Sequence, residues 1–432
     1  MNEEFGKCFI DIGSRGGDKM YKNRLKYRLR SYWHRLRNFA KTLKKYLIQP
    51  IRMLPLTSEI IGPPKGVYQT TWDWIVKSEK NPTKISEKYK EIYPKNWVYR
   101  SAPGTVDETI HWKFPPQYQR EAPAAFVALI KEGRVCSEGG TVITPDDRIL
   151  ADVSKEIGRS IENHSIFSKW KLPSVEKIEG TVALLSAPLG QVYFHWMLNV
   201  LPRIDLLRKR TGNLEEIYKF LVNGISHPFQ RETLSKLGIP ESKIIESDRY
   251  PHIKAKTLLV PSIPGKPGNA IPLWACEFLR NEFLDAKPLQ ESARPERLYI
   301  SRSKATHRRV INEAEVVTYL EKREFQSFQL ESLPLAEQIL LFSSAKVIVA
   351  PHGGGLTNIV FCKPGTKIIE LFSPNYVNGC FWTISNHLGL DYYYATGNGK
   401  KPPANIDPHK VDEDIEIELN SLKSLIELAG VS

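Results

Sequence analysis

Residues 346–361 read KVIVAPHGGGLTNIVF. Val347–Ala350 are wholly apolar, the pattern of a short strand buried on both faces of a parallel sheet. Three consecutive glycines, Gly353–Gly355, follow at the point where the pattern predicts a helix over LTNIVF. Glycine lets the backbone approach a ligand closely. The first N–H groups of the next helix are unpaired and, with its dipole, favour an anion. His352 adds a donor at the strand edge, and Thr357 and Asn358 can hydrogen-bond phosphate or ribose. The stretch is neither G-x-G-x-x-G nor a P-loop ending in G-K-[ST], so dinucleotide binding and NTP hydrolysis lose support. The competing reading is a tight strand–helix turn with a structural histidine.

Working outward, strand and helix patterns alternate. RLYISRS (297–303) reads as a strand running into a loop. Asn312 with Glu315 reads as a capping box opening a helix. FQSFQLE (325–331) and TKIIELF (366–372) read as strands, LAEQILLFSSA (335–345) as a helix. Upstream, 191–210 reads as a helix kinked at Pro202. YKFLVN (218–223) and KTLLVPS (256–262) read as strands around a helix over 227–238 that ends at Gly238. The break IPGKPGNAIP (263–272) between the two units is the best linker in the chain. This predicts an α/β fold of two Rossmann-like domains facing a cleft. Before them, short strands from about 124 suggest an antiparallel region, and 49–120 an irregular lead-in. The expected organisation is a basic extension over 1–58, a first α/β domain over 59–265 and a second, Rossmann-like domain over 270–390. A tail helix over 391–432, able to pack back on the first domain, completes it.

Other polar groups stand at informative positions. In an open α/β sheet, ligands sit outside the C-terminal strand ends. Arg302 leaves such an end directly, and its bidentate, permanently charged guanidinium suits a diphosphate. Lys304 and Arg309 follow in the same loop and read either as further phosphate groups or as a solvated basic loop. Glu370 ends a strand and could bind ribose hydroxyls or simply face water. His195, Asn199 and Arg203 fall at i, i+4 and i+8 on one helix. A histidine there can take a proton from a hydroxyl near neutral pH, or it can be a packed core residue.

The net charge of +13 is local. Residues 19–58 carry twelve basic and no acidic side chains, whereas 59–432 carry forty-seven basic and forty-four acidic ones. A nucleic-acid surface would spread its charge over a folded face, so that class is set aside. Residues 19–48 read as a basic amphipathic helix, suited to an anionic membrane surface or to packing on the body. No stretch approaches the ~20 apolar residues of a membrane span, and no secretory signal is visible. Five scattered cysteines suggest neither zinc knuckle nor disulfide framework, which fits a reducing cytoplasm.

The order F-H-W…L-P-R, Y-I-S-R…R-R-V-I-N-E, EQILLFSSAKVIVAPHGGGLTNIVF and GTKIIEL resembles glycosyltransferase family 61, over roughly residues 180–395. The resemblance implies a GT-B-like enzyme with a nucleotide-sugar donor, inversion at the anomeric carbon and no essential metal. Many members carry alanine where Gly354 stands. On this reading Arg302, Lys304, Arg309, His352, Gly353–Gly355, Thr357, Asn358 and Glu370 bind the donor. His195 is the first candidate base and Asp205 the second. Asp412-Glu413-Asp414 is the one D-x-D match, read as acids opening a C-terminal helix. The acceptor would be a glycan or lipid-linked hydroxyl in surface polysaccharide synthesis, and the enzyme cytoplasmic and peripheral on the inner face of the membrane. The alternatives are a non-catalytic nucleotide-sugar-binding protein and a GT-B-like sugar-nucleotide epimerase.

Overall fold

The structure is a computed structural model that describes residues 62–265, 271–284 and 294–431. The expected basic helix over 19–48 lies outside these residues. The chain divides into two compact units. The smaller takes residues 1–63 with Ser165–Leu172; within it Ser165–Ser168 form a 3₁₀ turn and the Gly62 amide donates to the Trp170 carbonyl. The larger unit, Pro64–His164 with Pro173–Ser432, holds both large sheets.

The second of these sheets has six strands, all parallel. In spatial order they are Gln326–Phe328, Arg297–Ile300, Val347–Pro351, Lys367–Phe372, Asp391–Thr396 and Gly104–Thr105. Val347–Pro351 lies in its middle and is buried throughout, as an unbroken apolar run requires. Strand Asp391–Thr396 carries the sheet past residue 390, where the sequence places a boundary. The tail helix forms only over Leu419–Leu428. Its Leu422, Leu425 and Ile426 pack on the outer face of this same sheet with Val316, Leu320 and Ile369, not on the first sheet.

The first sheet has nine strands and is mixed. His252–Pro261, Glu176–Leu184, Lys219–Val222 and Ile244–Glu246 run parallel, and the long strand Ala125–Cys136 joins them antiparallel. The expected parallel units are therefore present, the first with an antiparallel half attached. The sheets do not have wholly separate cores. One apolar cluster runs from Ala183, Phe220 and Val222 of the first sheet, through Trp196 and Trp274, to Ile348 and Ile368 of the second. Helices Leu273–Phe283 and Cys380–Leu388 lie in this shared layer. The lead-in also ties the halves together: Tyr89–Tyr93 pairs with the first sheet and Gly104–Thr105 with the second. Among the described residues, no helix is long and apolar enough to cross a membrane.

Two local expectations are corrected. The helix over 191–210 is not a continuous α-helix. Tyr193–His195 opens it, Trp196–Val200 is π-helical, and an α-helix resumes over Arg203–Thr211. A π segment in a helix often marks a functional position. Asn312 forms no side-chain cap. Its amide accepts from the Ile417 N–H (3.1 Å) and donates to the Ile417 carbonyl (2.8 Å) and, at 3.4 Å, to the Glu315 carboxylate, so it pairs with Glu315 side chain to side chain and not in a capping box. Gly238 does sit just past its helix in the left-handed region, at φ +81°.

Candidate functional site

The C-terminal ends of strands Arg297–Ile300 and Val347–Pro351 deliver Arg302 and the glycine run to one place. Tyr299 and Ser301 both donate to Glu313, at 2.9 and 3.1 Å, which fixes the start of the loop. The loop then folds back on Arg302. The guanidinium donates to the His307 carbonyl (3.0 Å) and the Arg308 carbonyl (3.3 Å). Among the described residues, it has no carboxylate within ion-pair distance. Burial first, and then the Arg308 charge, push it down to about 10, so it is still a cation at neutral pH.

The three glycines serve three different purposes. A methyl group on Gly353 would fall 2.0 Å from Arg302 Nη1, so the guanidinium lies directly on this backbone. One on Gly354 would meet nothing within 4 Å. One on Gly355 would press on Leu330 Cδ1 at 2.9 Å, with Ile300 behind it. Only Gly353 is thus required for close approach at the arginine; Gly355 is a packing glycine. The segment that follows, Gly354–Phe361, is a 3₁₀ helix rather than an α-helix.

Arg308 belongs to the same basic loop and is partly buried. It adopts a left-handed backbone at φ +54°, uncommon for a non-glycine residue. Its guanidinium carbon lies 5.4 Å from the Tyr376 ring centroid, and Nη1 donates to the Val411 carbonyl (2.8 Å). Its Nε is buried without a partner. No carboxylate pairs with it among the described residues, and burial lowers its pKa. Its neighbour Arg309 is exposed and held on both sides by Asp414, through the backbone N–H (2.9 Å) and the guanidinium (2.6 and 3.1 Å). Lys304 is exposed on the loop. We expect Arg309→Ala to leave nucleotide affinity within about twofold of wild type by calorimetry, since its guanidinium is exposed to solvent and already held by Asp414.

His352 and Glu370 form a buried pair. His352 Nδ1 lies 2.5 Å from Glu370 Oε1, and the Tyr392 hydroxyl donates to Glu370 Oε2 at 2.5 Å. Glu370 is fully buried, so it is not a ribose ligand at a solvated strand end; both its oxygens are taken. Phe372, Tyr376 and Phe381 surround the imidazole. Burial lowers the His352 pKa, helped by Arg308 and Arg302 and opposed by Glu370.

Asn358 is also buried and engaged. It accepts from the Tyr193 hydroxyl (2.5 Å) and donates to Gln338 (2.8 Å), joining the 193–211 helix to the 3₁₀ segment. Thr357 is buried, and its hydroxyl has no partner. Neither side chain is open to a ligand here.

On the N-terminal side, His195 is half-buried, with Nδ1 2.8 Å from Asn199 Oδ1; burial lowers its pKa and Asn199 opposes. Its ring contacts Phe194, Phe194 contacts Phe381, and Phe381 contacts His352. The two histidines therefore flank one aromatic junction. Arg203 does not share that polar stripe: it is fully buried and bonds to the Pro261 and Ser186 carbonyls. Asp205 accepts from Tyr93 (2.7 Å) and Lys209 (3.0 Å). That network leaves His195 as the less encumbered proton acceptor.

The Asp412-Glu413-Asp414 triplet lies ahead of the last helix, not at its start. Asp414 holds Arg309, and Glu413 accepts from Ser373 and Asn375. Among the described residues, no group of three or more His, Cys, Asp or Glu side chains is placed to hold a metal ion.

Residues 193–369 match the family model described as Glycosyltransferase 61, and this span contains Arg302, Arg308 and His352. Three relatives illustrate the similarity. The EGF domain-specific O-linked N-acetylglucosamine transferase of Drosophila melanogaster is 30% identical over 109 residues, 24% of this chain and 20% of its own length. The Beta-1,2-xylosyltransferase of Arabidopsis thaliana is 34% identical over 64 residues, 15% and 12%. The Protein O-linked-mannose beta-1,4-N-acetylglucosaminyltransferase 2 of Homo sapiens is 32% identical over 108 residues, 23% and 18%. The matches thus span about a fifth or less of the curated relatives.

Proposed function

We propose that this chain, whose residues 193–369 carry the glycosyltransferase 61 pattern, moves a sugar from a nucleotide-sugar donor to a hydroxyl acceptor with inversion at the anomeric carbon. The observation that carries this reading is the pair Arg302 and Arg308. Two partly buried guanidiniums without carboxylate partners among the described residues, in the loop at the C-terminal edge of a parallel sheet, with Arg302 against the bare Gly353 backbone, form a preorganised anion site. A diphosphate supplies the missing negative charge. In the proposed step the acceptor oxygen attacks the anomeric carbon from the face opposite the diphosphate. The bond from that carbon to the phosphate oxygen breaks, and its electron pair stays on the leaving diphosphate beside the arginines. His195 takes the proton of the acceptor hydroxyl. The donor then sits on the second sheet and the acceptor against the first half, as in a GT-B arrangement.

The same reading makes a metal unnecessary, because the arginines neutralise the leaving group, while Asp414 is engaged by Arg309 and Glu413 by Ser373 and Asn375. The experiment is a transfer assay with a panel of UDP- and GDP-sugars, the product configuration read by NMR. The expected result is an inverted glycoside formed at unchanged rate in EDTA. Nucleotide binding with neither transfer nor hydrolysis would favour a non-catalytic binding protein, and a strict Mn²⁺ or Mg²⁺ requirement would overturn the metal-free step. The surface-glycan acceptor and the cytoplasmic, membrane-peripheral location belong to the proposal too. The latter is tested by salt-sensitive binding of the full chain to anionic vesicles.

A further inference from the structure

We propose that binding of the nucleotide-sugar diphosphate is coupled to uptake of one proton by His352, whose imidazolium then donates from Nε2 to the leaving diphosphate. This rests on the donor-site reading above and assigns His352 a role in it that a plain phosphate contact would not have.

The geometry defines the problem. Glu370 is fully buried and takes His352 at Nδ1 and Tyr392 at its other oxygen. A neutral His352 therefore carries its single N–H on Nδ1, facing Glu370, and leaves Nε2 as a bare lone pair. Among the described residues, nothing hydrogen-bonds to Nε2, and His352 keeps 6% of its surface exposed. A bare lone pair repels a phosphate oxygen. The His352 ring and the Arg308 guanidinium both lie against Tyr376, each 5.4 Å from its ring centroid. A diphosphate held by Arg308 beside that ring meets Nε2 favourably only if Nε2 is protonated.

The surrounding charges make that protonation conditional on the ligand. Arg302 and Arg308 face His352 from the loop after strand Arg297–Ile300, and Glu370 faces it from the neighbouring strand. Tyr376 meets it edge-on and itself packs edge-on against His409, while Tyr392 bonds to Glu370 and the buried Cys380 thiol lies within electrostatic reach of Glu370. Without ligand, burial and two cations disfavour the imidazolium, and one carboxylate favours it; the balance lies below the usual histidine value. A bound diphosphate offsets both arginines, and the balance reverses. The proton enters from solvent, Nε2–H bonds to a diphosphate oxygen, and the charge of the pair His352–Glu370 returns to zero. As the glycosidic bond breaks, the oxygen that gains electron density already has this donor in place.

The test is calorimetric titration of UDP-N-acetylglucosamine, UDP-xylose and GDP-mannose into the full chain, near neutral pH, in buffers of different ionisation enthalpy. Both phosphates of these probes are diesters and have no titration of their own near neutrality. For whichever probe binds, the slope of observed enthalpy against buffer ionisation enthalpy counts the protons taken up. The expected slope is positive and approaches one proton per nucleotide-sugar. Affinity should fall by up to about tenfold per pH unit on the alkaline side. His352→Gln keeps an N–H donor without a titration, so its slope should be zero and its affinity independent of pH. His307→Gln should leave the slope unchanged. Tight binding by wild type with no proton uptake would overturn the inference while leaving the donor site standing, as would uptake that disappears in His307→Gln instead. Binding of none of the probes would remove the donor reading itself, and this inference with it.

Discussion

Gly353→Ala should weaken nucleotide-sugar binding by about tenfold to a hundredfold, whereas Gly354→Ala should bind like wild type. The first methyl group would lie 2.0 Å from Arg302 Nη1 and 2.6 Å from its Cζ, far inside contact distance. Arg302 must then leave the position in which the His307 and Arg308 carbonyls hold it. Losing a charge-assisted phosphate contact costs about 1.5–3 kcal/mol, which gives the stated range of affinity. The second methyl group meets nothing within 4 Å. The strand itself is extended at Gly353, with φ 179°, so backbone strain is not the cause and alanine should fold there. Gly355→Val should act differently again. It crowds Leu330 and Ile300, so its signature is a lower melting temperature rather than a selective loss of binding. Calorimetry and thermal melts on the three variants separate these outcomes.

Arg203→Met should destabilise the protein by about 3–5 kcal/mol, the largest stability effect expected of a single substitution here. Arg203 is fully buried, and no carboxylate pairs with it among the described residues. Its guanidinium donates to the Pro261 carbonyl through Nε (3.2 Å) and Nη2 (2.6 Å), and to the Ser186 carbonyl through Nη1 (2.8 Å). Burial alone pushes it down to about 9. Replacing both partners of a buried ion pair by apolar groups is often harmless, but carbonyls cannot be replaced. Methionine would fill much of the volume and leave two main-chain acceptors unsatisfied at the ends of strands Glu176–Leu184 and His252–Pro261. A melting temperature lowered by roughly 3–6 °C is expected; a shift under a degree would show that water or relaxation satisfies them.

The sequence makes the second sheet legible because its strands are short, apolar and separated by turn residues, with Val347–Ala350 the clearest. The shared core was not legible. Periodicity assigns a face to each helix but not the sheet that face will meet, and helices such as Cys380–Leu388 serve both halves. The lead-in strands were missed for a related reason: Gly104–Thr105 is only a two-residue edge strand, defined by its partner Tyr393–Tyr394. Sequence pattern already sets Arg302 and His352 just past the ends of strands Arg297–Ile300 and Val347–Pro351. Which of Arg308 and Arg309 is partly buried and which is exposed cannot be read from sequence. The residues are adjacent and chemically alike, and the left-handed turn at Arg308 decides which one faces Tyr376 and which one meets Asp414. Glu370 likewise reads as a strand-end acid until Tyr392 and His352 are seen to enclose it. Arg203 kept helical spacing with His195 and Asn199, yet the π segment between them turned it into the core.

A crystal structure of the chain with a bound nucleotide-sugar tests the central claim most directly. The expected result is the diphosphate at the C-terminal edge of the six-stranded sheet, its oxygens within hydrogen-bond reach of both Arg302 and Arg308 and beside the Gly353 backbone. A diphosphate held instead by a metal ion on Asp412 and Asp414, with Arg302 still bonded only to the His307 and Arg308 carbonyls, would contradict it.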